Sequence, residues 1–367
     1  MFEALNSITG ILLVGALGCC IVLLANADAI AVGLGVIDHP NSERKRHARP
    51  VPLIGGIAIM VSLLLWIVTT VIFNSRVIGL DMHFLQAVAL CGGGAALVGY
   101  ADDQNPISPV SRLIALALFA VAALAICAPL RPTALVWESF GTWPMPLWFA
   151  CAFVAVALTG YVNAVNMADG QNGIVGGMMA IWAICLMIVT HGIVVQLAAV
   201  LFVTVSAFLI FNLMGRTFIG DSGTYGVGFV FGLLAILAHN QFGVKAETIC
   251  VWFFIPVADC LRLVISRAAR GLSPTRGDRD HFHHRLEDKV GKTGGLCAYL
   301  GAVGLSSIIA SLAPHLSLMC LILLATFYLS FAWLSSEPQA VDIAEDEVFD
   351  NVVTLGSKNK SGSRKAS

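Results

Sequence analysis

The chain of 367 residues is 58% apolar and only 12% charged, about half the charged share of an average soluble protein. Its mean hydropathy is +0.86, and apolar runs follow one another from Ile8 to Trp333. A water-soluble globular fold is therefore excluded, and the sequence predicts an all-α polytopic membrane protein. The formal net charge of −1 identifies no partner, and no nucleic-acid partner is expected.

Eleven membrane-spanning helices are predicted, because eleven apolar runs are long enough to cross about 30 Å of hydrocarbon. In chain order they lie near residues 8–27, 51–73, 84–101, 111–129, 146–162, 174–190, 194–211, 224–240, 247–265, 295–312 and 316–335. No basic residue precedes the first run, which favours an uncleaved helix with its N-terminus outside. Residues 1–335 are thus one transmembrane domain, and the polar segment 336–367 is predicted to be a disordered cytoplasmic tail.

The distribution of Lys and Arg tests this topology. Eleven spans with an outside N-terminus assign five loops to the cytoplasmic side, namely 38–50, 102–110, 163–173, 212–223 and 266–294. All but three of the 21 Lys and Arg residues lie in these loops, in the tail or at the adjoining helix ends; the exceptions are Arg76, Arg131 and Lys245. The positive-inside rule therefore predicts a multi-pass protein of a cytoplasmic membrane, with these loops facing the cytoplasm.

Two of the cytoplasmic loops carry carboxylates at the ends of helices. Asp102 and Asp103 directly follow the third span, where their mutual repulsion would be relieved by a divalent cation or a proton. Asp221 lies between glycines ahead of the eighth span. The same carboxylates are equally suited to capping helices, so the residues alone leave both interpretations open.

A row of amide and acidic side chains follows the fifth span at a spacing of three residues, comprising Asn163, Asn166, Asp169 and Asn172. The spacing would align all four on one face if the helix continued, but Gly170 and Gly173 favour a turn. Amides both donate and accept hydrogen bonds, which suits a nucleobase or a sugar.

The longest cytoplasmic loop has three His and three Arg within residues 276–286. A zinc site and a phosphate clamp both fit such a composition, but no matching cysteines are present and the arginines oppose a cation, which favours the clamp. The basic stretch 44–47, with Lys45, is either a topological signal or a phosphate site. Asp259 either pairs with Arg262 or faces the site.

These residues together resemble the polyprenyl-phosphate N-acetylhexosamine-1-phosphate transferases of glycosyltransferase family 4, and the resemblance covers residues 1–335. The matching stretches are Asp102-Asp103, 163–170, 220–223 and 278–286. Members of that family are eleven-helix, usually dimeric, Mg²⁺-dependent enzymes that move a sugar-1-phosphate from a UDP-sugar to undecaprenyl phosphate and release UMP. The His281-Phe-His-His284 pattern is similar to that of members using UDP-GlcNAc.

The resemblance implies roles for particular residues. Catalytic roles fall to Asp102, Asp103, Asp221, His281, His283 and His284. Asp221 and Asp103 would hold Mg²⁺, or Mn²⁺ as an alternative. Substrate-binding roles fall to Lys45, Asn163, Asn166, Asp169, Asn172, Asn212, Phe218, Arg279 and Arg285, with Phe218 stacked on uracil. The family commonly has Asp where this chain has Asn172, so a neutral hydrogen-bonding role is expected there.

The expected reaction is GlcNAc-1-phosphate transfer that starts a lipid-linked surface polysaccharide, such as lipopolysaccharide O-antigen or a cell-wall polymer, at the bacterial inner membrane. Alternative donors are UDP-FucNAc, UDP-QuiNAc and UDP-MurNAc-pentapeptide, and the resemblance implies a homodimer. A transporter is a more distant alternative, for which inverted repeats and midplane charges would be expected. The sequence displays neither feature.

Overall fold

The computed structural model describes residues 7–40, 49–73, 80–272 and 280–333, and most of them are helical. The helices are α1 (Ser7–Ala25), α2 (Ala27–Leu34), α3 (Gly55–Phe73), α4 (Leu80–Ala87), α5 (Gly93–Gln104), α6 (Pro109–Ile126), α7 (Leu147–Met167), α8 (Ile174–Val189), α9 (Gly192–Leu213), α10 (Gly220–Phe242), α11 (Ala246–Ala269), α12 (Phe282–Leu312) and α13 (Ser317–Trp333). Two short antiparallel pairs join β1 (Ile37–Asp38) to β2 (Val51–Pro52) and β3 (Ala134–Val136) to β4 (Thr142–Pro144).

Among the described residues, nine helices are long and apolar enough to cross a membrane, and a tenth span results if the bent pair α1 and α2 counts as one. A π-helical segment, Val88–Gly92, joins α4 and α5 into one of the nine. The predicted all-α polytopic fold is therefore confirmed. The count falls short of eleven because α8, at the predicted sixth span, has only 16 residues, a length of about 24 Å.

Helix α10 is the centre of the bundle. Of its span 89% is buried inside the protein, compared with 22% for α6 and 28% for the span that contains α13. Close approach at glycines makes this burial possible. A Cβ atom at Gly99 of α5 would lie 2.2 Å from the backbone oxygen of Asp221 at the start of α10, so only glycine permits this contact. The end of α5 is thereby pressed against the beginning of α10.

One end of the bundle gathers the connections between α5 and α6, α7 and α8, α9 and α10, and α11 and α12, which we call the polar rim. Backbone contacts join these connections to the β1–β2 pair, since the N–H of Gly55 donates to the carbonyl of Phe218 at 2.9 Å and the N–H of Phe218 donates to that of Pro52 at 2.9 Å. The described parts of the five loops predicted to be cytoplasmic thus lie together at one end.

The β3–β4 hairpin closes the opposite end. The buried carboxylate of Glu247 on α11 accepts the backbone N–H groups of Glu138 and Ser139 at 2.9 and 2.8 Å. His239, near the end of α10, contacts the backbone of the same hairpin. Because α10 begins at the polar rim and ends at this hairpin, it connects the two faces of the molecule.

Candidate active site

Asp103 holds the first turn of α10. Its carboxylate accepts the backbone N–H of Asp221 at 2.8 Å and that of Ser222 at 3.0 Å. These are N–H groups that a helix leaves without an intrahelical partner, and a carboxylate there also favours the positive end of the helix dipole. Gly220 has φ +68 and a Cβ atom there would lie 2.8 Å from the Asp103 carboxylate, so the turn requires glycine.

Asp102 faces a different set of partners. Its buried carboxylate forms an ion pair with Arg112 at 2.6 Å and accepts the backbone N–H of Ile107 at 2.7 Å and the hydroxyl of Tyr225 at 3.1 Å. Asp102 therefore ties α5 to α6 and α10. Arg112 and Tyr225 are site residues that sequence reasoning did not assign; for Arg112, the only signal was a cation at the beginning of the next span.

Asp221 lies where these two carboxylates meet. Its Oδ1 accepts the amide N–H of Asn166 at 2.6 Å, and the same amide donates to Thr224 Oγ1 at 3.0 Å. The carboxyl groups of Asp102 and Asp221 lie within hydrogen-bonding range of each other. Arg112 neutralises only one of three neighbouring carboxylates, and like charges this close require a proton or a cation between them.

The amide row does not converge on one point, because α7 ends at Met167. Asn166 reaches Asp221, whereas Asn163 donates towards the sulfur of Cys260 at 3.7 Å. Asp169 is exposed, although nearby protein atoms displace part of the water around its carboxyl group. This desolvation and the carboxylates of Asp103 and Asp38 raise the pKa of Asp169 to about 7.

Asn212 and Asn172 lie beside the connection that precedes α10. The buried Asn212 side chain accepts the N–H of Gly173 at 2.7 Å and donates to the carbonyl of Thr217 at 3.0 Å. It therefore joins two of the rim connections to each other. A Cβ atom at Gly215 would lie 3.9 Å from the amide nitrogen of Asn172.

The histidines enter the rim at the start of α12. The ring of His283 packs so closely on Gly170 that a Cβ atom there would lie 2.2 Å from its Nε2, which connects this loop to the Asp169 turn. His284 contacts Glu287 at 3.6 Å and its ring centroid lies 4.2 Å from that of His283. Arg285 binds Asp280 and the carbonyl of Ala332.

Two predicted substrate contacts, Lys45 and Arg279, lie outside the described residues. The other predicted site residues are on the polar rim or at the helix ends beside it. Asp259 was expected either to pair with Arg262 or to face the site. Its carboxylate pairs with Arg262 at 2.9 Å, and its other oxygen contacts His281 of the histidine loop at 3.2 Å.

The donor set at Asp221 suits Mg²⁺. Over the described ranges there is no group of three or more His, Cys, Asp or Glu arranged to hold a metal ion. Mg²⁺ does not need one, because it commonly binds through one or two carboxylates, water and substrate phosphates. The Asp221 carboxylate provides hard oxygen atoms, and Asp102 and Asp103, with Arg112 paired to only one of them, add negative charge beside it.

An apolar cavity of about 680 Å³ lies between α6, α7, α10 and α11. Trp137 and His239 line it near the hairpin, and Asn163 and Cys260 line it near the rim. Asn163 is less than one helical turn from Asn166, which binds Asp221. An apolar chain in this cavity would therefore have its head close to the carboxylates.

The fold and rim define a polytopic helical membrane protein that collects carboxylates, amides and imidazoles at one face. A sequence profile of glycosyl transferase family 4 matches residues 85–239, a region that includes Asp102, Asp103, the amide row and Asp221. An undecaprenyl-phosphate alpha-N-acetylglucosaminyl 1-phosphate transferase of Yersinia pestis is 29% identical over 275 residues, 71% of this chain and 72% of the relative. Over residues 85–239 the chain is similar to glycosyl transferase family 4.

Two further relatives extend the similarity along more of the chain. The proteins of the same name from Salmonella typhi and Escherichia coli K12 are 28% and 26% identical over 324 and 321 residues. Each match covers 82% of this chain and 84% of the relative.

Proposed function

We propose that this protein transfers an N-acetylhexosamine 1-phosphate, GlcNAc-1-phosphate in the first instance, from a UDP-sugar to undecaprenyl phosphate and releases UMP. The observation that carries the proposal is the carboxylate cluster of Asp102, Asp103 and Asp221 within a helical turn or two of an apolar cavity. The names of the three relatives support the acceptor and the sugar. The charge distribution supports a site on the cytoplasmic side of a bacterial inner membrane.

The reaction joins two anions, so alignment and charge neutralisation are its main requirements. A phosphate oxygen of the acceptor attacks the sugar-bearing phosphorus of the donor, and the bond from this phosphorus to the bridging oxygen breaks. UMP leaves with the bridging oxygen and its electron pair, so no covalent enzyme intermediate is needed. The acceptor phosphate has a second pKa of about 6 and is mostly dianionic at neutral pH.

The carboxylates of the rim and the residues that contact them have separate roles in this proposal. Asp221 would hold Mg²⁺, which neutralises phosphate charge when bound, and Asn166 orients the Asp221 carboxylate. Asp103 fixes the first turn of α10, and Asp102 with Arg112 fixes the end of α5. His281, His283 and His284 donate to phosphate oxygens, and Phe218 stacks on uracil. Arg285 shapes the histidine loop through its contact with Asp280.

The test is an in vitro transfer assay with undecaprenyl phosphate and a panel of UDP-sugars, in which the released UMP is measured. We expect transfer from UDP-GlcNAc, and replacement of UDP-GlcNAc by UDP-MurNAc-pentapeptide should abolish it. Preference for UDP-FucNAc or UDP-QuiNAc would change the pathway and leave the mechanism intact. Absence of UMP release with every donor would overturn the proposal.

The substitution Asp221→Asn tests the metal role. A neutral amide is a poor ligand for a hard cation, so we expect turnover to fall by about 100-fold or more. Asp81→Asn, at the start of α4 and the opposite end of the bundle, is the matched control and should retain activity. Normal turnover and normal Mg²⁺ dependence in Asp221→Asn would exclude Asp221 as the ligand.

A further inference from the structure

A buried carboxylate on α11 contacts the histidine loop from behind. Asp259 is 6% exposed and uses its two oxygens differently. Oδ2 contacts Nδ1 of His281 at 3.2 Å and accepts the backbone N–H of Phe282 at 3.2 Å. Oδ1 accepts from the Arg262 guanidinium at 2.9 Å and from the Tyr328 hydroxyl at 3.1 Å. One oxygen is thus anchored to the helix bundle, and the other holds the first residues of the loop.

The contact with Asp259 determines which nitrogen of His281 carries hydrogen. A carboxylate can only accept, so Nδ1 must be the donor in this pair. The hydrogen bond made by one ring nitrogen sets the protonation of the other, and in the neutral ring Nε2 is left as the acceptor. A proton arriving at Nε2 produces an imidazolium that the carboxylate stabilises, as in other carboxylate–histidine pairs.

The surrounding ion pairs keep Asp259 in place. Arg262 also binds Asp280 at 3.1 Å, the residue just before His281, and Tyr328 of α13 donates to Asp259 from the other side. The imidazole of His281 therefore cannot turn without breaking its contact with an Asp259 side chain that is itself fixed by α11 and α13. Asp259 does more than neutralise Arg262, because its Oδ2 contacts His281 and the N–H of Phe282 and makes no contact with the guanidinium.

We infer that Asp259 is a positioning residue for the transfer reaction, which holds Nδ1 of His281 so that the imidazolium form of the ring donates Nε2–H to the phosphate oxygens. This inference rests on the proposed function, and it gives Asp259 a role through His281 only. Loss of Asp259 must then have no further effect on turnover in a protein that already lacks the imidazole.

A double-mutant cycle tests this dependence. Asp259→Asn removes the negative charge that pairs with the imidazolium of His281, so we expect kcat to fall at least about tenfold with a smaller change in KM. In the His281→Ala background the same substitution should leave kcat unchanged. Ile265→Ala, at an exposed position of the same helix α11, is the control, for which we expect kcat close to that of the wild type.

Thermal unfolding in detergent provides the readout of fold. If Asp259→Asn fails to fold, Asp259→Glu keeps the charge beside Arg262 and displaces the carboxylate from His281, and the same cycle is run with it. Equal fold-losses of kcat with and without His281 would overturn the inference, as would normal kcat in Asp259→Asn. Failure of the proposed function is recognised separately, because the wild-type protein would then release no UMP.

Discussion

The adjacent carboxylates Asp102 and Asp103 accept hydrogen bonds from different donors. From the sequence they are one acidic pair with two open interpretations. In the structure Asp103 caps α10 at Asp221 and Ser222, and Asp102 pairs with Arg112. Neighbouring helix residues point about 100° apart, so their side chains reach different elements. Exchange of one for the other is therefore not expected to restore function.

Substitution of Asp103 should separate capping from catalysis. Asp103→Ala removes both acceptors, and we expect the free energy of unfolding to fall by about 1–2 kcal/mol. Asp103→Asn keeps an acceptor at the cap and should lose much less stability. The measurement is thermal or denaturant unfolding in detergent, with transfer activity assayed in parallel. Equal destabilisation by Ala and Asn would contradict the capping role, while a stable but inactive Asn variant would indicate that charge is needed as well.

At the scale of helices, the amide row shows how far spacing alone predicts a site. A repeat of three residues in a helix of 3.6 residues per turn drifts round the helix, and α7 ends after the second member of the row. Asn166 thus meets Asp221 while Asn163 turns towards Cys260. Sequence predicted the polar groups and the turn at Gly170, but the neighbours of each amide depend on α10 and α11, whose packing no local pattern specifies.

The histidine loop also depends on long-range contacts that its own sequence does not indicate. The sequence indicated an anion-binding loop and left Asp259 undecided. Its contact with His281 spans 22 positions in the chain and depends on α11, α12 and α13 meeting at one place. The contact of His283 with Gly170 spans more than a hundred positions, and nothing in the composition of either segment indicates it.

The contact between α5 and α10 can be tested at Gly99. A methyl group there would overlap the backbone of Asp221, which cannot yield as a flexible side chain would, so Gly99→Ala should cost at least about 1–3 kcal/mol. It should also move Asp103 from the first turn of α10. Gly93→Ala, on the same span, is the control, because a methyl group added there would meet no atom within 4 Å. Unfolding temperature and transfer rate are measured for both.

For the whole molecule, the number of membrane spans and the side of the membrane on which each loop lies follow most directly from the sequence. Both depend on apolar runs and basic residues, which are local features. The all-α fold is confirmed. The orientation stays a prediction that rests on the positive charges. The short helix α8 explains why the expected count exceeds the nine or ten spans found among the described residues: its sequence is apolar throughout, and its length follows from tertiary packing and the adjoining turns.

Reporter tags test the orientation. A tag after Ser367 should be cytoplasmic, and a tag in the Arg131 to Trp143 segment, which includes most of the β3–β4 hairpin, should be accessible from outside. The expected readouts are labelling of intact cells for the second tag and labelling only after permeabilisation for the first. Detection of both tags on the same side would overturn the topology and with it the cytoplasmic placement of the polar rim.

The apolar cavity beside Asn163 has a consequence for how the rate depends on concentration. If the cavity admits the polyprenyl chain from within the bilayer, the acceptor reaches the site by lateral diffusion in two dimensions, whereas the nucleotide sugar arrives from a three-dimensional aqueous volume. Diluting undecaprenyl phosphate with inert phospholipid, at constant amounts of protein and acceptor per millilitre, should therefore slow transfer. A rate that followed only the amount per millilitre would indicate delivery of the acceptor through water.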